Sequence, residues 1–278
     1  MKDIHHREGF HHDAAEPEVW RRVGEDLEQT AKRAPLVLRL AALDILERYR
    51  GSVLGPFWLT LSTLVLIATL GLVYSRLFGM ELAGYLPWLA TSLVLWNLLN
   101  ATIQESCHAF VAQEGMIRSM PLPFTMHVAR VVLRNLLVFA HNLPIVVLTV
   151  LVFRGMPGWE ILWFVPALLL VGLLLSAVGL VLAIICARFR DIPPVIASIL
   201  QILFFITPVI WLPELLGDAA VWLWLNPMHP VLDLLRAPLL GQVPSVWTWL
   251  AVIEWTGAAG AMALALFARY RARIPFWL

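Results

Sequence analysis

Few side chains in this sequence are placed for covalent or acid–base chemistry. His5, His6, His11 and His12 are of the right type to hold a metal, but they lie in a polar, unpatterned tail with no cysteine nearby. They read as an unstructured tail rather than a metal site. No Gly-x-Ser-x-Gly or His-Glu-x-x-His pattern occurs, and no Ser-His-Asp order stands out. A Walker A loop needs a lysine after a glycine-rich turn to reach the nucleotide phosphates. The chain has only Lys2 and Lys32, and neither follows such a turn. No catalytic or metal-binding residue is therefore assigned, and any ATP-driven work requires an ATPase on another polypeptide. Glu254 is the one carboxylate well inside an apolar stretch. Such a group can serve a proton relay, face a wet cavity or sit near an interface, and the sequence leaves these open.

Two other sets of residues have types and spacing worth noting. The first is FVAQEGMIRSMPLPF, residues 110–124, where Gln113, Glu114 and Arg118 gather between long apolar runs and Pro121 and Pro123 end the segment. The second is aromatic: Tyr74 and Phe78 at the end of one apolar run, Tyr85 and Trp88 at the start of the next, and Trp96 deeper within it. Flat rings can stack on the C–H faces of sugars, or simply pack and anchor at an interface. Composition does not separate these uses.

The elements that carry these residues follow from hydropathy. Sixty per cent of the 278 residues are hydrophobic and 14% are charged, too little charge to cover a soluble surface. The chain reads as all-α and polytopic. Charge-free intervals at 51–75, 82–104, 135–153, 161–187 and 192–213 each reach 19 residues or more, enough to cross ~30 Å of hydrocarbon. A sixth runs from about 246 to 268, giving six expected spans. Cys107 and Cys186 lie inside apolar runs and read as small buried hydrophobes. A net charge of +1 gives no electrostatic reason for a nucleic-acid partner.

Orientation follows from the arginines. With the N-terminus inside, Arg39, Arg48, Arg50, Arg118, Arg130, Arg134, Arg188, Arg190, Arg269, Arg271 and Arg273 fall on the cytoplasmic side, and Arg76, Arg154 and Arg236 outside. Both termini are thus expected to be cytoplasmic. Before the first span, one wheel places Val19, Trp20, Val23, Leu27, Ala31 and Ala34 opposite Arg21, Arg22, Glu25, Asp26, Gln29, Lys32 and Arg33. A second places Val37, Leu38, Ala41, Ala42, Ile45 and Tyr49 opposite Arg39, Glu47 and Arg50. Both patterns suit helices lying in the membrane interface or packed on a partner, and the second favours the interface. Between spans five and six, residues 214–245 hold apolar pieces too short to cross, interrupted by Pro227, Pro230 and Pro238. A re-entrant hairpin from the outer face is expected there.

RYRGSVLGPFWLTLS (48–62), EGMIRSMPLP (114–123), ARFRDIPPV (187–195) and FFITPVIW (204–211) resemble the membrane subunits of polysaccharide-exporting ABC transporters. O-antigen export permeases are nearest, and capsule and teichoic-acid permeases are relatives. The resemblance spans roughly 36–278. It implies a six-span subunit that pairs with a second copy and with two ATPase subunits. ATP and Mg would be bound on those ATPases and no cofactor on this chain. The cargo would be a lipid-linked polysaccharide crossing the bacterial inner membrane. The segment between spans two and three would then be the coupling helix, with Gln113, Glu114, Gly115, Met116, Ile117 and Arg118 at the ATPase. Arg188, Arg190 and Asp191 would form a second cytoplasmic contact, and Tyr74, Phe78, Tyr85, Trp88 and Trp96 would line a glycan channel. The expected division is 1–35 cytoplasmic tail and amphipathic helix, 36–268 permease domain, and 269–278 basic cytoplasmic tail. A smaller amphiphile as cargo, or an ATP-independent secondary transporter using Glu254, are the alternatives.

Overall fold

The computed structural model describes residues 17–48, 50–51, 55, 57–156 and 158–278, which contain helices and turns but no strand. The histidine-rich tail, Tyr49 and part of the 48–62 motif lie outside the described residues. The helices are α1 (Pro17–Lys32), α2 (Ala34–Arg48), α3 (Phe57–Leu77), α4 (Leu82–Ser106), α5 (Glu114–Ser119), α6 (Phe124–Phe153), α7 (Phe164–Arg188), α8 (Ile192–Ile206), α9 (Met228–Leu239), α10 (Val246–Tyr270) and α11 (Ile274–Trp277). Among them α3, α4, α6, α7 and α10 are long and apolar enough to cross a membrane.

The expected span at 192–213 is divided. Its helix, α8, has 15 residues, ~22 Å of rise against the ~30 Å of hydrocarbon. A residue that precedes proline is pushed out of the helical region. Thr207 precedes Pro208 and is extended, with φ −88° and ψ 139°. Hydropathy passes over that proline; backbone sterics do not. Beyond it, a 3₁₀ segment Pro213–Leu225 bends at Gly217, where φ is 52°, and α9 follows. Pro230 and Pro238 do not interrupt α9, contrary to the reading from sequence. Pro230 lies in the first turn, where the amides have no partner inside the helix, and Pro238 lies next to the last residue. The break falls instead at Asn226–Pro227.

α4 is the central helix, with Tyr85, Leu89, Trp96, Leu99 and Ile103 all buried. It packs along α6 and also meets α3, α7, α8 and α9, while α7 lies along α10. α3 is peripheral and leaves Leu64, Val65, Leu66, Leu72 and Val73 exposed. Several hydroxyls in the long helices bond back to their own helix, as Thr91 to the Pro87 carbonyl, Thr102 to Leu98 and Thr256 to Val252. Cys107 and Cys186 are buried and unbridged.

Gly179 of α7 lies close against α4 and α6. A Cβ there would lie 2.7 Å from Ser106 Oγ and 3.1 Å from Val128 Cγ1. Gly179→Leu is expected to lower the thermal unfolding midpoint of the purified protein, with overpacking costing about 1–3 kcal/mol. Gly179→Ala should cost less, and Ser106→Ala should relieve part of it. An unchanged midpoint for Gly179→Leu would contradict this packing.

Candidate functional site

Between α4 and α6 the chain turns, makes a 3₁₀ turn at Val111–Gln113 and enters α5. Met120 is extended, with φ −130° and ψ 135°, and the two prolines prevent the helix from continuing into α6. The side chains of this segment face different ways. Glu114 and Arg118 pair with each other at 3.0 Å across one turn, both substantially exposed. An exposed pair of this spacing adds little stability and leaves two charges at the surface. Ile117, read from sequence as part of an apolar tip, packs inward on a cluster that includes Val23, Phe110, Phe267 and Ile274. Met116 is half-buried and Gly115 has open space around it. Gln113 also turns inward, and its Oε1 accepts from Arg130 Nη1 at 3.1 Å.

Behind α5 lies an ion network that sequence reading missed, because it treated Arg130 and Arg134 only as markers of orientation. Asp44 of α2 accepts from Arg130 through both Nε, at 2.9 Å, and Nη2, and from Arg134 Nη1 at 2.8 Å. Arg134 also forks onto Glu105 at the end of α4, at 2.8 and 3.2 Å. Glu105 further accepts from Asn135 at 2.7 Å and from Arg48 of α2 at 3.0 Å. Asp44 falls on the face of α2 that carries the buried Val37 and Ala41, at i, i+4 and i+7 spacing. Three helices thus meet through two carboxylates and three arginines.

A second junction holds the start of α6. Pro123 precedes α6 and has no side chain to cap it. The carboxylate comes from α1: Asp26 accepts from the amides of Phe124 and Thr125 at 3.1 and 3.0 Å. It also accepts from Thr125 Oγ1 at 2.7 Å and from Arg271 Nη2, beyond α10, at 3.3 Å. The helical wheel had placed Asp26 on the solvated face, yet it is buried, while Trp20 and Leu27 are exposed. A first turn without its own cap was the available signal, since its amides require an acceptor from elsewhere.

Arg188, Arg190 and Asp191, expected as a second contact, are less engaged. Arg188 and Asp191 are exposed, and Arg190 donates to the Trp277 carbonyl at 3.3 Å. Within the final ten residues Ile274 is buried and α11 packs against α5 and α7.

The five aromatics divide by environment. Tyr74 and Phe78 stack at 5.5 Å, and Phe78 meets Tyr85 edge-on at 6.4 Å. Tyr85 is buried and donates to the Ile210 carbonyl. Trp88 lies under the guanidinium of Arg236, 3.6 Å from the ring centroid. Arg236 is 1% exposed and donates to the Pro208 carbonyl at 2.7 Å, to Ser92 at 3.2 Å and to Asp233 at 3.2 Å. Burial pulls its pKa down to about 10, with Asp233 opposing, so it remains a cation near neutral pH. Trp96 packs on Phe204 at 5.5 Å and borders a groove of about 440 Å³ between α4 and α8. Asn100, Gln104, Gln201 and Phe205 also line it. Amide groups beside aromatic faces suit a ligand that carries both hydroxyls and apolar C–H faces.

Glu254 is exposed on α10 and lines a separate groove of about 790 Å³ with Trp224, Trp247, Leu250, Ala251 and Ile253. No second titratable group lines that groove among the described residues. No cluster of three His, Cys, Asp or Glu able to hold a metal occurs among the described residues.

Asp26→Ala should remove about 1–2 kcal/mol of capping and speed deuterium uptake at the amides of 120–128. Unchanged exchange there would show that the cap does not hold α6.

The ABC-2 type transporter family matches residues 36–240. An O-antigen export system permease protein of Myxococcus xanthus is 24% identical over 197 residues, covering 69% of this chain and 75% of that protein. Two such permease proteins of Klebsiella pneumoniae are 20% identical over 190 residues and 19% over 241. These cover 68% and 86% of this chain, and 73% and 93% of the relatives. The chain belongs to the ABC-2 type transporter family and is a multi-pass membrane protein.

Proposed function

We propose that this ABC-2 transporter subunit forms the membrane channel of an ATP-driven exporter that moves a lipid-linked polysaccharide, most closely O-antigen, across the bacterial inner membrane. Two copies pair with two separate ATPase subunits, which bind ATP and Mg; this chain binds no cofactor and has no nucleic-acid partner. α8 with the 207–212 turn makes the sixth crossing, and both termini are cytoplasmic. α1 and α2 lie along the membrane interface among lipid headgroups, and the segment from Pro213 to α9 is a re-entrant hairpin on the outer side. Residues 36–268 constitute the permease domain, flanked by 1–35 and 269–278.

The observation that carries this reading is α5 itself. It is a six-residue helix ended by prolines, with a charged outer face and an inner face fixed to the bundle. A short, rigid projection of that kind can receive a rigid-body movement from a partner. Glu114, Gly115, Met116 and Arg118 face the ATPase, with Arg188, Arg190 and Asp191 beside them. The names of the three relatives support the cargo. The glycan passes the groove at Trp96, while Tyr74, Phe78, Tyr85 and Trp88 shape the wall above it.

Glu114→Lys or Arg118→Glu should abolish most export while leaving the protein in the membrane, measured as surface polysaccharide against membrane-inserted chain. Normal export by both variants would remove the coupling assignment. Trp96→Ala should lower export more than Trp249→Ala, whose ring meets Trp163 at 5.9 Å away from the groove. Equal effects in equally expressed variants would assign Trp96 to packing alone.

A further inference from the structure

We infer that Gln113 and Arg130 are positioning residues that pass the displacement of α5 into the bundle, making α2 a moving part of the transporter. The inference rests on reading α5 as the ATPase contact. Its geometry is particular. Arg130 commits Nε and Nη2 to Asp44, which leaves Nη1 for Gln113 at 3.1 Å. Gln113 is the joint of the segment, the last residue of the 3₁₀ turn and the one before α5, with φ −115° and ψ 19°. Arg130 and Asp44 are each 11% exposed. A pair so withdrawn from water is not readily broken, because either partner left alone would be a desolvated charge. A movement of α5 therefore either stretches the Gln113 bond or carries Arg130 and Asp44 with it. Asp44 also holds Arg134, which holds Glu105 on α4. The path runs from the residue before α5 through α6 to α2 and to the end of α4 through hydrogen bonds that each include at least one charged group.

This divides the segment into two functions. Glu114 and Arg118 pair outward and meet the partner. Gln113 faces inward, so its loss should leave docking intact and break transmission. Gln113→Glu keeps an oxygen acceptor for Arg130, whereas Gln113→Leu removes it at similar size.

The test uses the full complex with its ATPase. Gln113→Leu should keep complex formation and ATP hydrolysis but lower polysaccharide exported per ATP hydrolysed at least fivefold, and Gln113→Glu should restore it to within twofold of wild type. Export per ATP within twofold of wild type for Gln113→Leu would overturn the relay. The same assay on Glu114→Lys separates the two levels. Loss of ATPase binding by Glu114→Lys with normal coupling in Gln113→Leu rejects the relay and keeps the docking assignment; retained binding and export in Glu114→Lys rejects the docking assignment. A measurement on otherwise wild-type protein covers misfolding of the variants. Spin labels at the exposed Leu46 of α2 and Met262 of α10 should change separation on ATP binding by at least the 1–2 Å of about one helix shift. A separation that stays fixed overturns the inference.

Discussion

Charged groups withdrawn from water must be paired, because an isolated one costs several kcal/mol even after relaxation. At the α5 end of this bundle Asp44 is paired with Arg130 and Arg134, and Glu105 with Arg134 and Arg48. Those residues sit on α2, α4 and α6, so the requirement fixes where three helices end relative to one another. The remainder of this end is built from that junction. α5 hangs from it by Gln113, and Ile117 seats the segment on the adjoining apolar cluster. Asp26 then closes the first turn of α6 and draws Arg271 to the same place.

The opposite end of the bundle follows the same rule with one cation. Arg236 is taken out of water by α4, the 207–211 turn and α9, and is offset by a carbonyl, a hydroxyl, a carboxylate and the face of Trp88. Asn226 joins the structure there, donating to Thr207 Oγ1 at 2.8 Å and accepting from the Met228 amide at 3.0 Å. The backbone groups released where α8 stops are therefore used by side chains from α4 and α9. Each end of the molecule is defined by polar side chains, while the apolar length between them is held by packing along α4 and α7.

Hydropathy located the five long helices, and Pro121 with Pro123 marked the end of α5, because apolar runs and prolines act within their own few residues. It failed where the cause was local but steric: Thr207 and Pro208 end α8 inside an unbroken apolar run. It failed again where the partner was remote. Asp26 looks solvated on its own wheel and takes its role from Phe124 and Thr125, about a hundred residues away. Arg130 and Arg134 entered the reading only as markers of orientation, and nothing near them in sequence pointed to Asp44 or Glu105. The aromatic set was legible as a group, but sequence could not separate Trp96, at a groove, from Tyr85 and Trp88, which are engaged by Ile210 and Arg236.

Cargo and direction of transport can both be read in cells that lack this chain and have no second copy of the system. The measurement is the sidedness of lipid-linked polysaccharide, probed separately on the two faces of the inner membrane. Accumulation on the cytoplasmic face, relieved when the intact chain is returned, is the predicted result. Normal surface glycan with no cytoplasmic accumulation would contradict polysaccharide export as the function of this protein.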